Sequence, residues 1–259
     1  MILYFSGTGN SRHVALSLGN ILSEEVLSIP DTDPMTLTLS GKNLIMVFPI
    51  YSWGVPPLVL DYIAGLPDSF IRTITDRKVP VLMVATCGDE VAYAPEMFRD
   101  AWLKRNIDVS AVWGIIMPNN YVLLPGFNVD KSKIEQRKLD ESADRIHQIA
   151  AKIKKQEWET DVIRGNWPKF KTRIIYPLFR RWGINWRKWK ATEECVRCGR
   201  CVAACPVHNM KMKSGSPSWG TECVSCTACY HICPAKAVSY GKITSGKGQY
   251  HCHLEPLKS

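Results

Sequence analysis

The sequence predicts an α/β protein in which a doubly wound parallel sheet is followed by a small, cysteine-rich α+β domain. Two observations support this fold class. Short apolar runs alternate with helical patterns over residues 1–157, which is typical of parallel strands joined by helices. Eight cysteines then occur in two identical spacings beyond residue 193. A chain of 259 residues has room for about two such domains.

Strand and helix alternate from the N-terminus onwards. Residues 1–5 form a short apolar run, and a Gly-rich turn at 6–11 leads into a stretch with apolar residues at helical spacing, including Val14, Leu18 and Ile21. Further buried strands are predicted at 44–48, 79–85 and 109–116. Helices are predicted at 57–64, 91–105 and 131–157.

The turn after the first strand is the first candidate site, and it consists of Ser6, Gly7, Thr8, Gly9, Asn10 and Ser11. Hydroxyls, glycines and an amide at the start of a helix form a cradle for an anion. The turn lacks the Gly-Lys-Ser/Thr ending of a Walker loop. It also lacks the third glycine of the dinucleotide motif, because Arg12 stands there. An ordinary Gly-rich turn is the alternative.

Two later loops follow predicted strands and should lie beside this turn, because ligands of doubly wound sheets bind at the carboxyl ends of the strands. The first loop contains Pro49, Tyr51, Ser52, Trp53 and Gly54, and the second contains Thr86, Cys87, Gly88, Asp89 and Tyr93. For each aromatic residue, simple packing is an equal alternative. The segment 117–121 is interpreted as an ordinary loop.

The cysteine spacing is the most specific motif of the chain. Cys195, Cys198, Cys201 and Cys205 precede Pro206, and the same pattern recurs further along the chain with Cys223, Cys226, Cys229 and Cys233 before Pro234. Bacterial ferredoxins hold iron-sulfur clusters with this spacing. A zinc ribbon does not account for the third and fourth cysteine of each run. A disulfide framework is typical of secreted chains, whereas the N-terminus shows no signal peptide, so a reduced, cytoplasmic protein is expected.

The Gly-rich turn resembles the flavodoxin phosphate loop, and the chain as a whole resembles the flavodoxin-ferredoxin fusion family. This resemblance implies a five-stranded flavodoxin-like domain at 1–157 that binds FMN and a ferredoxin domain at 193–259 with two 4Fe-4S clusters. It implies that Ser6, Thr8, Asn10 and Ser11 bind the FMN phosphate, with Gly7 and Gly9 allowing close approach. Tyr51 and Trp53 would stack on the flavin, backbone amides near Gly88 would contact it, and Tyr93 would cover it.

The same resemblance implies how the cysteines are shared. In two-cluster ferredoxins the fourth cysteine of each run binds the other cluster. One cluster would therefore be held by Cys195, Cys198, Cys201 and Cys233. The second would be held by Cys223, Cys226, Cys229 and Cys205. Glu194 and Val196 recur as Glu222 and Val224, and this internal duplication predicts a pseudo-symmetric domain.

The segment 158–192 between the two domains is basic and aromatic. Residues 164–192 contain nine Lys or Arg residues, seven aromatic residues and no acidic residue, in a chain whose net charge is +9. A clamp between the domains is favoured over a docking surface for an acidic redox partner or for peripheral contact with an anionic membrane. Nucleic acid is not expected as a partner, since no binding fold accompanies the basic stretch. Because the sequence has no apolar run long enough to cross a bilayer, no transmembrane segment is expected.

The resemblance implies an electron-transfer protein that links a redox partner protein to a one- or two-electron acceptor through its clusters and FMN. Two alternatives stay open: an FMN-dependent reductase of a small substrate, and a redox sensor whose N-terminal domain is empty. No acid-base constellation predicts catalytic residues. Cys87 and Cys252 lie outside the cluster motifs, and Cys252 is expected in a frayed tail. His208 is expected at the surface or in packing.

Overall fold

A computed structural model of the protein describes residues 1–183 and 185–258. Its N-terminal part is a parallel sheet of six strands in the order β2-β1-β3-β4-β5-β6. The strands are β1 (Ile2–Tyr4), β2 (Val26–Ser28), β3 (Leu44–Pro49), β4 (Val81–Cys87), β5 (Val109–Ile116) and β6 (Thr160–Asp161). The helices are α1 (Asn10–Leu22), α2 (Pro57–Gly65), α3 (Asp68–Asp76), α4 (Ala94–Leu103) and α5 (Ser132–Lys155).

Helices cover both faces of this sheet. On one face, Val59 of α2, Phe70 of α3 and Phe98 of α4 pack with alternate residues of the strands. On the other face, Val14 of α1 and Ile146 of α5 pack with the remaining strand residues. Because successive side chains of a strand point to opposite faces, a strand that is covered on both sides is apolar throughout. This is why the central strands are recognisable in the sequence as short apolar runs.

The sheet has one strand more than the five expected. Strand β6 pairs with β5 through Thr160 and Asp161, two polar residues that give no apolar pattern. The sheet therefore extends past residue 157, the predicted end of the first domain. The edge strand β2 and the helix α3 were also not predicted from the sequence. Strand β2 gives little signal, because it has only three half-buried residues.

A helical segment at 168–183, called here the linker helix, follows the parallel sheet and leads into the cysteine-rich part. It consists of α6 (Pro168–Phe170) and α7 (Tyr176–Leu178), each followed by wider π-helical turns at Lys171–Ile175 and Phe179–Gly183. The predicted segment 158–192 is therefore not a separate unit. Its first residues complete the parallel sheet, and its last residues form a strand of the cysteine-rich part. Among the residues described, no helix is long and apolar enough to cross a membrane.

The cysteine-rich part consists of two short helices and two antiparallel pairs of strands. The helices are α8 (Arg200–Ala203) and α9 (Ala228–His231), and the strands are β7 (Trp189–Ala191), β8 (Met210–Lys213), β9 (Ser216–Trp219) and β10 (Val238–Tyr240). Strand β7 pairs with β10, and β8 pairs with β9. In the internal repeat, α8 corresponds to α9, β7 to β9 and β8 to β10. The duplication in the sequence is thus a pseudo-twofold repeat in the structure.

Candidate functional site

A cavity of about 430 Å³ opens at the carboxyl ends of β1, β3, β4 and β5. This volume lies within the range of sites for small molecules and cofactors. Strands β1 and β3 are neighbours although β2 lies between them in the sequence, and such a reversal of strand order is where doubly wound sheets bind ligands. Predicted site residues that line the cavity are Ser6, Gly7, Thr8, Asn10, Ser11, Pro49, Tyr51, Ser52, Trp53, Thr86, Cys87, Gly88 and Asp89.

The Gly-rich turn forms the part of the cavity next to α1. Gly9 has φ 97°, and no side chain of the described residues caps the N-terminus of this helix. The Ser11 and Thr86 hydroxyls form a buried hydrogen bond of 2.8 Å, and the Asn10 amide donates to the Pro118 carbonyl at 3.1 Å. These side chains therefore hold the turn in shape. The turn lies at the positive end of the α1 dipole, where a negative charge is stabilised.

The loop after β3 is a tight turn that projects Trp53. Ser52 and Trp53 have φ 45° and 64°, and Tyr51 and Gly54 exchange two backbone hydrogen bonds of 2.9 Å. The Trp53 indole donates to the Glu90 carboxylate at 2.7 Å. The Lys171 ammonium of the linker helix also pairs with Glu90 and lies 5.2 Å from the centre of the Trp53 ring. The position of Trp53 is thus fixed by an ion pair between the linker helix and the loop after β4.

Aromatic side chains from separate segments form one wall of the cavity. The Tyr51 and Phe179 ring centres lie 6.3 Å apart, those of Tyr121 and Phe179 lie 6.4 Å apart, and those of Tyr121 and Phe127 lie 5.8 Å apart. All three pairs are close to edge-on, a favourable arrangement of aromatic rings. Phe179 belongs to the linker helix, so this helix contributes directly to the cavity.

The segment after β5, interpreted from the sequence as an ordinary loop, lines the cavity through Pro118, Asn119, Asn120 and Tyr121. The Asn119 backbone N–H donates to Asp130 at 2.9 Å, and the Lys138 ammonium lies 2.8 Å from the same carboxylate. Burial acts to raise the pKa of Asp130, but the hydrogen bonds from Asn119 and Lys138 outweigh it and lower that pKa. An ionised Asp130 therefore fixes the loop. In the sequence, the sign that this loop lines the cavity was its position directly after the carboxyl end of a strand.

The cysteine-rich part closes the cavity. Ser225, Cys226 and Thr227 line it together with the Gly-rich turn. A Cβ atom on Gly7 would clash with the backbone carbonyl of Cys226, so only glycine permits this close approach of two backbones. The hydroxyls of Tyr51 and Ser225 are buried, with no hydrogen-bond partner in the described part of the chain. Unpaired buried hydroxyls are costly, and these two belong to residues that line the cavity.

Seven of the motif cysteines fall into two groups of neighbours. Burial is the main cause of the raised pKa of the Cys229 thiol, and the charges of Cys226, Cys223 and Cys205 raise it further. The pKa of Cys226 is likewise raised to about 12 by burial and then by Cys223 and Cys205. In the other group, burial, Cys233 and Cys195 act together to raise the pKa of Cys201. Cys205, the fourth cysteine of the first run, thus lies near the first three of the second run, and Cys233 lies near Cys195 and Cys201.

Three of the motif cysteines accept hydrogen bonds at sulfur, and two of these bonds lie at equivalent positions of the internal repeat. Asn209 donates its backbone N–H to Cys205 Sγ at 3.3 Å, and Ala237, at the equivalent position of the second repeat, donates to Cys233 Sγ at 3.2 Å. The Trp219 indole donates to Cys229 Sγ at 3.4 Å. Hydrogen bonds to sulfur stabilise the thiolate and influence the reduction potential of an iron-sulfur cluster.

Residues 194–238 match the family of 4Fe-4S dicluster domains. The C-terminal region thus carries a 4Fe-4S domain, which implies iron-sulfur electron transfer. No curated protein compared with this chain matches it. No group of three or more His, Cys, Asp or Glu side chains within residues 1–183 and 185–258 is arranged to hold a single metal ion. A four-iron cluster is larger than one ion, so its cysteines need not converge on one point.

Three predicted site residues serve in packing around the cavity. A Cβ on Gly9 would lie 2.9 Å from the Cys252 carbonyl oxygen, and one on Gly54 would clash with the Tyr176 ring. Tyr93 lies beneath Arg164, whose guanidinium is 5.1 Å from the centre of the ring. Tyr93 therefore packs against the linker region instead of covering the cavity.

The C-terminal tail is packed, which corrects the expectation that it is frayed. The Cys252 backbone N–H donates to the Thr8 carbonyl at 2.8 Å, and the Tyr250 hydroxyl donates to the Asn10 side chain at 2.5 Å. Leu257 donates its N–H to Ser17 of α1 at 2.9 Å. The tail thus returns from the cysteine-rich part and holds the Gly-rich turn from outside. Cys252 itself is buried, as is Cys87, whose pKa is raised to about 12 by burial and by Asp89.

Proposed function

We propose that this protein transfers electrons between two 4Fe-4S clusters and an FMN bound in the cavity, and so links a one-electron redox partner to a one- or two-electron acceptor. One observation carries the proposal. The loop of a cluster motif, Ser225 to Thr227, and the Gly-rich turn line the same cavity. A cofactor in that cavity would lie next to a cluster ligand, Cys226, within a single chain.

Several features of the cavity support FMN as the occupant. The sheet order β2-β1-β3-β4-β5 is that of flavodoxin-like folds, in which FMN binds where the strand order reverses. The uncapped N-terminus of α1 suits a phosphate. Tyr51 and Trp53 supply aromatic surface for a flat ring, and the Tyr51 and Ser225 hydroxyls are without partners in the described chain. These residues fit the group that the resemblance implies.

FMN would supply the ability to exchange either one or two electrons, whereas a 4Fe-4S cluster exchanges one at a time. The chain's own residues position the cofactors and exclude water. Gly7 allows the Gly-rich turn to approach the Cys226 loop, and Phe179 and Tyr121 enclose the cavity. Asp89 and Glu90 line the cavity, so their negative charge would disfavour an anionic flavin nearby. Lys171 pairs with Glu90 and Lys138 lies 3.7 Å from Asp89, which reduces that effect.

The proposed clusters differ in their surroundings. Val224, beside Cys223, packs against the core of the parallel sheet, whereas its repeat partner Val196 is 65% exposed. Cys198 is exposed, while Cys226 lines the cavity. We therefore assign Cys223, Cys226, Cys229 and Cys205 to an inner cluster beside the cavity. Cys195, Cys198, Cys201 and Cys233 would hold an outer cluster where a partner protein exchanges electrons.

The decisive experiment is to purify the protein without oxygen and measure iron, acid-labile sulfide and released flavin per chain. We expect about eight iron atoms, as two four-iron clusters require, and one FMN. Clusters without flavin would contradict the FMN site and favour a redox sensor with an empty cavity. About four irons would contradict the two-cluster assignment.

A reductase that acts on a small substrate is the second candidate, and the cavity mouth favours it. Leu124 and Phe127 line the cavity although they are 46% and 44% exposed. An apolar rim of this kind would admit a flat organic molecule. Steady-state oxidation of the reduced protein by quinones distinguishes the two candidates, because a carrier would react without saturation, whereas a reductase would show a saturable substrate dependence.

A further inference from the structure

We infer that the outer face of the linker helix binds the surface of an anionic lipid membrane. Five large apolar side chains at helical spacing are exposed on this helix or at its start: Trp167 (78%), Phe170 (53%), Ile174 (49%), Leu178 (46%) and Trp182 (62%). Residues three and four positions apart share one face of a helix. They therefore form a continuous apolar stripe at the surface of the molecule.

The opposite face of the linker helix packs against the rest of the protein, so the apolar stripe faces outwards. Thr172, Tyr176 and Phe179 are buried. The Thr172 hydroxyl donates to the Trp53 carbonyl at 2.7 Å, and the Tyr176 hydroxyl donates to the Val55 carbonyl. These contacts hold the linker helix against the loop after β3. They leave the stripe without a partner among the residues that the structure describes.

Charge and aromatic placement select a lipid surface as the occupant. Lys169, Arg173, Arg180 and Arg181 are exposed on the same helix, and residues 164–192 contain no acidic residue. Amphipathic helices with cations and with Trp, Phe and Leu lie in the interface of anionic membranes. Trp167 and Trp182, at the two ends of the stripe, are of the type enriched at the headgroup level. An acidic protein would match the cations but would not require exposed tryptophans at both ends.

Lipid binding at this face would bring the proposed electron-transfer site to the membrane. Phe179 of the linker helix lines the cavity, and Lys171 pairs with Glu90 in the cavity wall. The helix is thus both the proposed membrane contact and a wall of the cavity. An apolar electron acceptor dissolved in the bilayer would then be close to the cavity.

Vesicle flotation of the full-length, anaerobically purified protein tests this inference. Vesicles of phosphatidylcholine alone are compared with vesicles of equal parts phosphatidylcholine and phosphatidylglycerol. We expect the protein to float only with the anionic vesicles, and binding to weaken as salt is added. Absence of binding to anionic vesicles at low ionic strength would overturn the inference. Iron and flavin are measured on the same sample. A protein that binds vesicles but lacks flavin would contradict the proposed FMN site and not the membrane contact.

Two variants and their matched controls locate the surface. The triple variant R173Q/R180Q/R181Q should bind anionic vesicles on the order of 100-fold more weakly. The control K104Q/K131Q/K154Q removes three exposed charges elsewhere and should bind within about threefold of the parent. Equal loss in both triple variants would indicate attraction by net charge only and would contradict a defined surface.

The apolar stripe is tested separately. Trp167→Ser with Trp182→Ser should weaken vesicle binding at least tenfold, while Met35→Ser with Leu103→Ser, two exposed apolar residues elsewhere, should have little effect. If the tryptophan variant binds like the parent and only the arginine variant fails, the surface is electrostatic and an acidic protein is the better partner, which would overturn the lipid assignment.

Discussion

For single residues, the proposed sharing of ligands between the two cysteine runs gives a specific prediction. Cys198 and Cys233 are assigned to one cluster, and Cys205 to the other. The double variant C198A/C233S should therefore retain about four irons, since both changes affect one cluster, whereas C198A/C205S should retain almost none. Iron and sulfide analysis with electron paramagnetic resonance of the reduced protein measures both. The reverse pattern would show that each run binds its own cluster.

Gly7 is the residue at which the two parts of the protein are closest. Gly7→Ala adds a Cβ that clashes with the Cys226 carbonyl, and because both partners are backbone, neither can rotate away. We expect a loss of about 1 to 3 kcal/mol in the free energy of unfolding and a lower flavin content. Chemical denaturation and flavin release measure these effects.

Gly65 provides the control for that substitution. It ends α2, and a Cβ there would lie 3.9 Å from the nearest side chain, Pro34, an ordinary contact distance. Gly65→Ala should leave stability and flavin content unchanged or raise stability slightly. A similar loss in both variants would contradict the close approach at Gly7.

At the scale of elements, the internal repeat supplies a matched pair of residues in different surroundings. Val224 packs on the core of the sheet, and Val196 is exposed. Val224→Ser should destabilise the protein by about 1 to 2 kcal/mol, because it removes this apolar packing. Val196→Ser should preserve stability. Thermal unfolding of both variants tests this, and equal effects would contradict the inward and outward orientation of the two halves.

Helix α1 contains a buried histidine that makes stability depend on pH. His13 is 3% exposed, and burial lowers its pKa below the usual 6.5. A lowered folded-state pKa means that its contribution is complete above pH 6.5 and is lost as the pH falls through the folded-state value. The parent should therefore lose stability relative to His13→Asn between pH 7.5 and 5.5, by at most about 1.4 kcal/mol per pH unit.

Denaturant unfolding at several pH values measures this difference. A parent and His13→Asn variant that change in parallel would show that His13 is not buried in the neutral form.

At the scale of the whole molecule, the cysteine loops and the sheet are expected to unfold together. The Cys226 loop is packed on the core of the parallel sheet, the tail returns to the Gly-rich turn, and the linker helix is hydrogen-bonded to the Trp53 loop. Removal of iron with a chelator should therefore lower the melting temperature of the sheet, not only that of the cysteine-rich part. Far-ultraviolet circular dichroism measures the melting temperature, and rebuilding the clusters should restore it. An unchanged melting temperature would contradict this coupling.

The features that depend on local spacing could be predicted from the sequence alone. The central strands are covered on both faces and are therefore apolar runs. The two cysteine runs show the dicluster domain and its duplication, since the fixed spacing within one short loop is what a cluster requires. The sequence also predicted a candidate site at this edge of the sheet, because polar and glycine residues follow shortly after Tyr4, Pro49 and Cys87, the last residues of β1, β3 and β4.

Contacts between distant segments, in contrast, could be seen only in the folded structure. No local pattern indicates that the Cys226 loop reaches Gly7, that Phe179 and Asn120 line the cavity, or that the tail holds the Gly-rich turn. Strand β6 could likewise not be predicted from the sequence, because its two polar residues are held by pairing with β5 and not by burial. The two repeat halves have the same cysteine spacing, yet Val224 of one half packs on the core of the sheet, whereas Val196 of the other half is exposed. Which half packs against the parallel sheet depends on the folded chain and not on the local sequence. Burial against that sheet is what distinguishes the two repeat halves.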